Sequence, residues 1–229
     1  MKPIRYTLTL LILTFSLFTS ESFALFDVGA DGSYSAITTT TAGVSATTGA
    51  ITSNTQTFTG AVFTPYAHFN FSIPALATIG IGPYIGFSSM KAGSLRDLAT
   101  EEKVSFTRYG VDAMVILDVV PIIQPYARFG LGKDSIEWSE TSKSANGVNT
   151  FVANAKFGGL QYQILVGGLY KVSGPISIFA HFGVTGGTNS TVTLTSYTTN
   201  GVAQPIPQPN LGDGRHIGYL IGAGVHFSL

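Results

Sequence analysis

The sequence predicts an all-β fold, a transmembrane antiparallel up-and-down β-barrel of eight strands, with ten possible. Three observations support this prediction. The chain is apolar and poor in charge, yet its mature part contains no segment long enough to be a transmembrane helix. Apolar residues occupy alternate positions over long stretches, as the outer face of a lipid-embedded strand requires. Short and long connections also alternate along the chain, which is typical of a barrel with turns at one end and loops at the other.

The first 24 residues read as a secretory signal peptide. Lys2 and Arg5 form a basic start, an apolar run covers residues 6–18, and a small-x-small pattern ends at Ala24. The apolar run is too short to cross a bilayer as a helix. We therefore expect a signal peptide at 1–24 and an outer-membrane β-barrel at 25–229.

Composition narrows the class of the mature protein. Charged residues make up 10% of the sequence, against about 25% in a typical soluble domain. The formal net charge of zero gives no electrostatic case for nucleic acid, and the lack of cysteine excludes disulfides. The longest apolar stretch, AMVILDVVPII, is short and carries Asp118 and Pro121. A secreted apolar chain without a spanning helix leaves a closed barrel as the way to cross a membrane.

Alternation is clearest in the last segment, HIGYLIGAGVHFSL. One set of alternate residues is apolar over seven positions, and the other set consists mostly of glycine and polar residues. Seven further segments show the same period of two, so we predict eight strands. Their predicted ranges are 26–37, 57–73, 76–90, 103–118, 122–137, 151–172, 175–188 and 214–229.

The connections predict how the strands are joined. Tight turns are expected near residues 73–75, 119–121 and 173–175. Long loops rich in Thr, Ser, Asn, Gly or Pro are expected at 38–56, 91–102, 138–150 and 189–213. The Thr-rich stretch AITTTTAGVSATTGAITSNTQ could instead hold two further short strands, which would give ten.

A short aromatic pattern recurs along the chain as YAHF, YIGF, YARF and FAHF. In the predicted phase the first aromatic points inward and the final Phe points to lipid, so we interpret the repeat as a property of the fold. The variable slot faces inward and holds His68, Arg128 and His181. Pro65, Pro83 and Pro125 precede three of the copies, and because proline removes a ladder donor we expect bulges there.

The signal peptide, the PYIGF and PYARFGLG strand openings and the amphipathic last strand resemble the small outer-membrane β-barrels of Gram-negative-type bacteria, the OmpX- and OmpA-type barrels. The resemblance covers essentially the whole mature chain. It implies location in the bacterial cell outer membrane, contact with outer-membrane lipid, and delivery by periplasmic chaperones to the outer-membrane insertion machinery. That machinery reads a terminal aromatic in this family. Here the insertion signal would comprise Tyr219, Phe227 and Leu229, with leucine in the terminal place.

An eight-stranded barrel is just wide enough to be filled by side chains, so inward polar residues need partners. Asp112 and Arg128 are predicted to face each other across a hairpin centred near Val120, as a structural ion pair rather than a gate. His226 is expected to approach Asp27, since the last strand closes against the first. The predicted interior polar network comprises Asp27, His68, Arg108, Asp112, Arg128, His181 and His226, and the other inward polar residues are Asp31, Asn70, Gln161 and Gln163.

Two chemical alternatives start from the same interior residues. His68, His181 and His226 invite a metal site, but no closely spaced ligand pair supports one, so no metal and no cofactor is expected. His226 and Ser228 form a His-x-Ser pair like that of small barrel lipid A deacylases, yet the pair would point inward at the periplasmic end. We therefore expect no catalytic residues.

The expected function is that of a non-enzymatic outer-membrane protein with a structural or surface-interaction role. Its long extracellular loops would carry contacts with extracellular ligands. The first alternative is a narrow channel for small or hydrophobic molecules, and the second is a lipid A-modifying enzyme.

Overall fold

The computed structural model describes residues 26–44, 51–92, 99–118, 122–143, 150–204 and 214–229. The predicted signal peptide lies outside these residues. The described residues contain no helix that is long and apolar enough to cross a membrane. They form eight long strands and one two-residue strand, β8. The strands are β1 (Phe26–Val44), β2 (Ile51–Ile73), β3 (Ala77–Ala92), β4 (Ala99–Leu117), β5 (Ile123–Lys143), β6 (Thr150–Ser173), β7 (Ile176–Thr199), β8 (Val202–Ala203) and β9 (Gly214–Ser228).

The eight long strands close into a barrel. Each pairs antiparallel with its neighbour in sequence, β7 pairs with β9, and β9 pairs with β1. At the closing seam the backbone N–H of Leu229 donates to the carbonyl of Phe26 at 2.8 Å. Following paired residues once around the barrel leads from Thr39 of β1 back to Gly29 of the same strand. This ten-residue stagger over eight strands corresponds to a strand tilt of about 40°.

The predicted fold class and the eight barrel strands are confirmed, but seven of the eight strands are longer than predicted. The Thr-rich stretch does not add two strands, because it continues β1 and β2 and pairs from Thr38↔Thr57 up to Val44↔Ile51. The described parts of the predicted loops at 38–56, 91–102, 138–150 and 189–213 are likewise mostly strand, so those boundaries were wrong, and residues 45–50, 93–98, 144–149 and 205–213 lie outside the described part. Beyond the membrane both faces of a strand meet polar surroundings, so the apolar alternation fades while the ladder continues.

Two of the predicted tight turns lie among the described residues. Residues 74–76 join β2 to β3, and Gly174 with Pro175 joins β6 to β7. The predicted bulges at Pro65, Pro83 and Pro125 are wrong. Pairs on either side of the first two prolines, Phe63↔Phe87 and Phe69↔Ile81, keep one register, and Pro125 pairs with Gly168 in an unshifted ladder. A proline removes one donor without requiring an inserted residue. The register shifts occur instead at Ala99/Glu101, Asn154/Ala155, Lys156/Gly158 and Lys171/Ser173.

Gly174 adopts a left-handed backbone conformation, with φ of +50°, and a Cβ added there would meet no atom within 4 Å. Gly174→Ala should therefore destabilise the protein by about 1 kcal/mol through backbone strain alone. Gly32→Ala is the control, because its Cβ would meet only the carbonyl oxygen of Ala223, at 3.9 Å. Urea unfolding of both variants in lipid vesicles measures the difference. Equal stability of the two variants would contradict the assignment of strain to this turn.

The outer wall carries a belt of exposed apolar side chains around the barrel. Once the stagger is taken into account, six exposed aromatic residues from six strands lie within about 5 Å of one height. This upper girdle consists of Tyr34, Phe63, Phe87, Tyr109, Tyr162 and Tyr219. A lower group, Phe26, Phe71 and Tyr170, lies roughly 20 Å below it. A band of this height between aromatic girdles is typical of membrane-spanning barrels.

The interior is filled by two apolar clusters with polar side chains between and around them. The upper cluster lies near and above the level of the girdle, and Trp138 packs against it. The lower cluster contains all four inward aromatics of the repeat, Tyr66, Tyr84, Tyr126 and Phe179. The first aromatic of each repeat is thus buried, and the final Phe of each is exposed, as predicted. The members of the upper cluster are Ile37, Phe58, Val62, Met90, Val104, Phe106, Ile136, Ala155 and Phe157.

Candidate functional site

All four histidines of the chain lie buried inside the barrel, and each contacts a different aspartate. Strand alternation accounts for this, because every one of these residues lies on the inward phase of its strand. The four contacts bring together β1, β2, β4, β5, β7 and β9. They are His68–Asp112 at 2.6 Å, His181–Asp31 at 3.4 Å, His216–Asp134 at 3.1 Å and His226–Asp27 at 3.1 Å.

Asp112 is the centre of the most connected group. One carboxylate oxygen contacts Nε2 of His68, and the other accepts from Nε of Arg128. All three side chains are almost fully buried. The guanidinium of Arg128 also lies 4.2 Å from the ring centroid of Tyr66. A buried arginine thus has both a carboxylate and an aromatic face, which offsets part of the cost of removing its charge from water.

The predicted register of the Asp112–Arg128 pair is wrong by two residues, although the side chains do meet. Asp112 pairs with Gly130 and Met114 pairs with Arg128, so the hairpin is centred on residue 121 rather than near Val120. Arg128 reaches Asp112 diagonally. The length of the arginine side chain allows the contact across this offset.

His226 lies near the end of the barrel that carries the tight turns. Its Nδ1 contacts the Tyr66 hydroxyl at 3.1 Å, and its Nε2 lies 3.1 Å from Asp27 and 3.3 Å from Ser228 Oγ. A nucleophilic triad needs the carboxylate on the ring nitrogen remote from the serine. Here the carboxylate and the serine share one nitrogen, so this arrangement lacks the geometry that activates a serine.

Arg108 occupies the middle of the interior and has a different environment. Its Nη2 donates to Thr64 Oγ1 at 2.8 Å, while its Nε has no hydrogen-bond partner among the described residues. Within the same described part of the chain, both amide atoms of Gln163 and both carboxylate oxygens of Asp31 also lack hydrogen bonds. Gln161 makes two, to Tyr84 and Thr185. The centre of the barrel is therefore polar and only partly satisfied by protein atoms.

The structure places all seven residues of the predicted network inside the barrel, and it adds members that were not predicted. His216 and Asp134 form a fourth pair above the others, and Tyr126 contacts Nδ1 of His181 at 3.0 Å. The inward phase of β9 already placed His216 on the inner face. Its partner lies on β5, three strands away around the barrel, and no local pattern in the sequence reports such a contact.

The histidines do not assemble into a metal site within the described ranges, where no three His, Cys, Asp or Glu side chains form a ligand group. Each histidine instead has its own carboxylate. The predicted insertion residues Tyr219 and Leu229 are exposed on the outer face, and Phe227 is half-buried there.

No family model and no curated protein matches the chain. Among solved structures, the outer-membrane protease OmpT of Escherichia coli aligns with a TM-score of 0.53 at 10% identity, covering 93% of this chain and 100% of that one. The chain has the fold of a bacterial outer-membrane β-barrel. Neisserial surface protein A aligns with a TM-score of 0.47 at 13% identity, covering 91% of this chain and 100% of that one. The Ail protein of Yersinia pestis aligns with a TM-score of 0.39 at 12% identity, over 88% and 98%.

The outer-membrane β-barrel fold and the apolar belt both indicate that the outer wall faces lipid. A closed sheet satisfies its backbone hydrogen bonds within the wall, so such a belt can face lipid. The protein is an integral outer-membrane protein that contacts lipid, as the resemblance implied. The tight turns that join β2 to β3 and β6 to β7 lie at one end of the barrel, and the long extensions of β1, β2, β6 and β7 lie at the other.

Proposed function

We propose that the protein is a non-enzymatic outer-membrane barrel that acts through its extracellular extension, in a structural or surface-interaction role. The observation that carries this proposal is the filled interior. The upper apolar cluster crosses the barrel from β1 to β6, and three of the four buried histidine–aspartate pairs lie below it. Side chains that fill the barrel in this way leave the outer surface as the place for contact with other molecules.

The long strand extensions support the proposed surface-interaction role. The β6–β7 ribbon pairs as far as Phe151↔Thr199, and β8 folds back on its tip. By strand rise and tilt, the ribbon projects roughly 30 Å beyond the aromatic girdle. Extracellular ligands would meet this surface first. We further propose cleavage of residues 1–24, delivery by periplasmic chaperones, and recognition of Tyr219, Phe227 and Leu229 by the insertion machinery.

Single-channel recording in planar bilayers tests the filled interior. We expect wild-type protein to give no sustained openings, because the upper apolar cluster obstructs the path. A variant that trims this cluster, Phe106→Ala with Phe157→Ala, is expected to conduct and serves as the positive control. Steady wild-type openings that disappear in Arg128→Met would contradict the proposal and favour a narrow channel.

That channel is the second candidate, and the polar centre favours it. Gln163, Asp31 and Arg108 keep buried polar atoms without hydrogen-bond partners among the described residues. Buried groups of this kind are commonly hydrogen-bonded to water. A row of such waters along the barrel axis would form part of a channel. The upper cluster would then have to move for conduction to occur.

The enzymatic alternative has a separate test. Lipid A from cells with and without the protein is compared by mass spectrometry. We expect identical lipid A, because His226 lacks the geometry of a catalytic base. A mass change that is lost in Ser228→Ala would overturn the non-enzymatic assignment.

A further inference from the structure

Three inward-facing polar side chains lie at the top of the upper cluster, at the end of the barrel opposite the tight turns. They are Thr39 of β1, Gln56 of β2 and Trp138 of β5. Thr39 and Gln56 are direct partners in the β1–β2 ladder, and Trp138 packs against the cluster from the other side of the barrel. Once the stagger is taken into account, the three lie within about 3 Å of one height, roughly 14 Å above the upper girdle.

Each of these side chains holds a buried polar atom that has no hydrogen-bond partner in the described part of the chain. The atoms are Thr39 Oγ1, Gln56 Nε2 and Trp138 Nε1. An indole N–H and an amide nitrogen are donors only, and a threonine hydroxyl can also donate. Buried polar atoms are nearly always hydrogen-bonded in folded proteins, so three donors in one layer point to a molecule that supplies acceptors.

The surroundings of the three donors are apolar. Val104 pairs directly with Trp138, and Phe58 lies two residues from Gln56 on the same face of β2; both belong to the upper cluster. Gln56 and Trp138 point inward yet remain half-buried, which indicates a recess between them. The three donors are uncharged, so an ionised ligand would lose its hydration without compensation by an opposite charge on them. They suit a neutral molecule.

We infer that this recess binds a small neutral molecule that has an apolar body and an acceptor oxygen at each end, such as a short diester. One oxygen accepts from Trp138 Nε1, and the other accepts from Gln56 Nε2 and Thr39 Oγ1 on the opposite wall. The body packs against Phe58 and Val104. A mostly apolar recess with a few convergent polar groups is the usual form of a small-molecule site. Such a site adds ligand binding to the proposed surface role, and it does not require the barrel to conduct.

The indole N–H resonance of Trp138 reports binding directly, because the sequence contains a single tryptophan. Diethyl succinate is titrated into the isotope-labelled full mature chain in lipid nanodiscs, and we expect a saturable shift of this resonance. Thr39→Val with Gln56→Leu should weaken the binding about tenfold, the effect of removing two hydrogen bonds. Ethyl heptanoate has the same chain length but a single ester group, which can still bond to Trp138. The same double variant should therefore weaken its binding by no more than about threefold.

Thr40→Val with Thr55→Val is the matched control, because these residues form the next pair of the same ladder and face outward. We expect its affinity for diethyl succinate to stay within about twofold of the wild type. Heat-dependent migration on gels checks that both double variants are folded. A wild type without a saturable indole shift, an equal loss of affinity in the two double variants, or an equal weakening of the two esters would overturn the assignment.

Discussion

Asp112→Ala should destabilise the barrel by about 3–5 kcal/mol, because it leaves a buried arginine without its carboxylate. Asp112 accepts from Arg128 Nε and contacts His68 at 2.6 Å, and the pair of side chains has almost no access to solvent. Arg128 is 3% exposed, so its charge is held away from solvent in the folded barrel. Urea unfolding in lipid vesicles, followed through the single tryptophan, Trp138, measures the loss.

The chain offers a matched surface pair as the control. Glu137 accepts from Lys156 at 2.8 Å, a normal distance, but the two side chains are 60% and 55% exposed. Glu137→Ala should therefore cost no more than about 1 kcal/mol. A similar cost for both variants would mean that the interior is hydrated enough to screen charge, which would contradict the filled barrel.

The double variant Asp112→Ala with Arg128→Met separates the charge from the packing. It removes both ions and keeps an apolar side chain of similar length in place of the arginine. We expect it to be more stable than Asp112→Ala alone, because no unpaired cation remains. A double variant less stable than the single one would show that Arg128 contributes chiefly through its contact with Tyr66.

The residues that could be placed from the sequence are those governed by the period of two. Facing lipid or facing inward follows directly from strand alternation, so Phe182 and His181 could be assigned to opposite faces without a structure. Strand boundaries beyond the apolar belt could not be placed from the sequence, because the Thr-rich part of β1 and β2 has no apolar face. Its continuation rests on ladder hydrogen bonds and cross-strand hydroxyl contacts such as Thr38–Thr57 at 3.1 Å.

Contacts inside the barrel were harder to predict because they depend on register and on the stagger of all eight strands. Asp112 and Arg128 are offset by two residues across their ladder, and they meet only because the arginine side chain is long enough to span that offset. His216 and Asp134 are three strands apart, and their contact follows from closure rather than from any hairpin. Their residue types were visible in the sequence, but the pairing required the barrel geometry.

Phe182→Arg should cost about 2–4 kcal/mol in lipid vesicles, the effect of a cation near the bilayer midplane. Phe182 faces outward on β7, between Val166 and Ile221, roughly halfway down the apolar belt. Its side chain contacts no interior group, so the substitution creates no cavity in the core. The expected loss of unfolding free energy comes from the lipid, and it is measured by the same urea titration.

Val202→Arg isolates the role of the lipid. Val202 is 63% exposed and Phe182 is 65% exposed, so accessible surface alone gives no reason for different outcomes. Val202 lies in β8 at the tip of the β6–β7 ribbon, far from the apolar belt, where arginine meets water, and the expected change is within about 0.5 kcal/mol. Equal effects at the two sites would place the belt outside the bilayer. A cost confined to Phe182→Arg means that two side chains of equal exposure face different solvents, which is the property that distinguishes a membrane barrel from a soluble one.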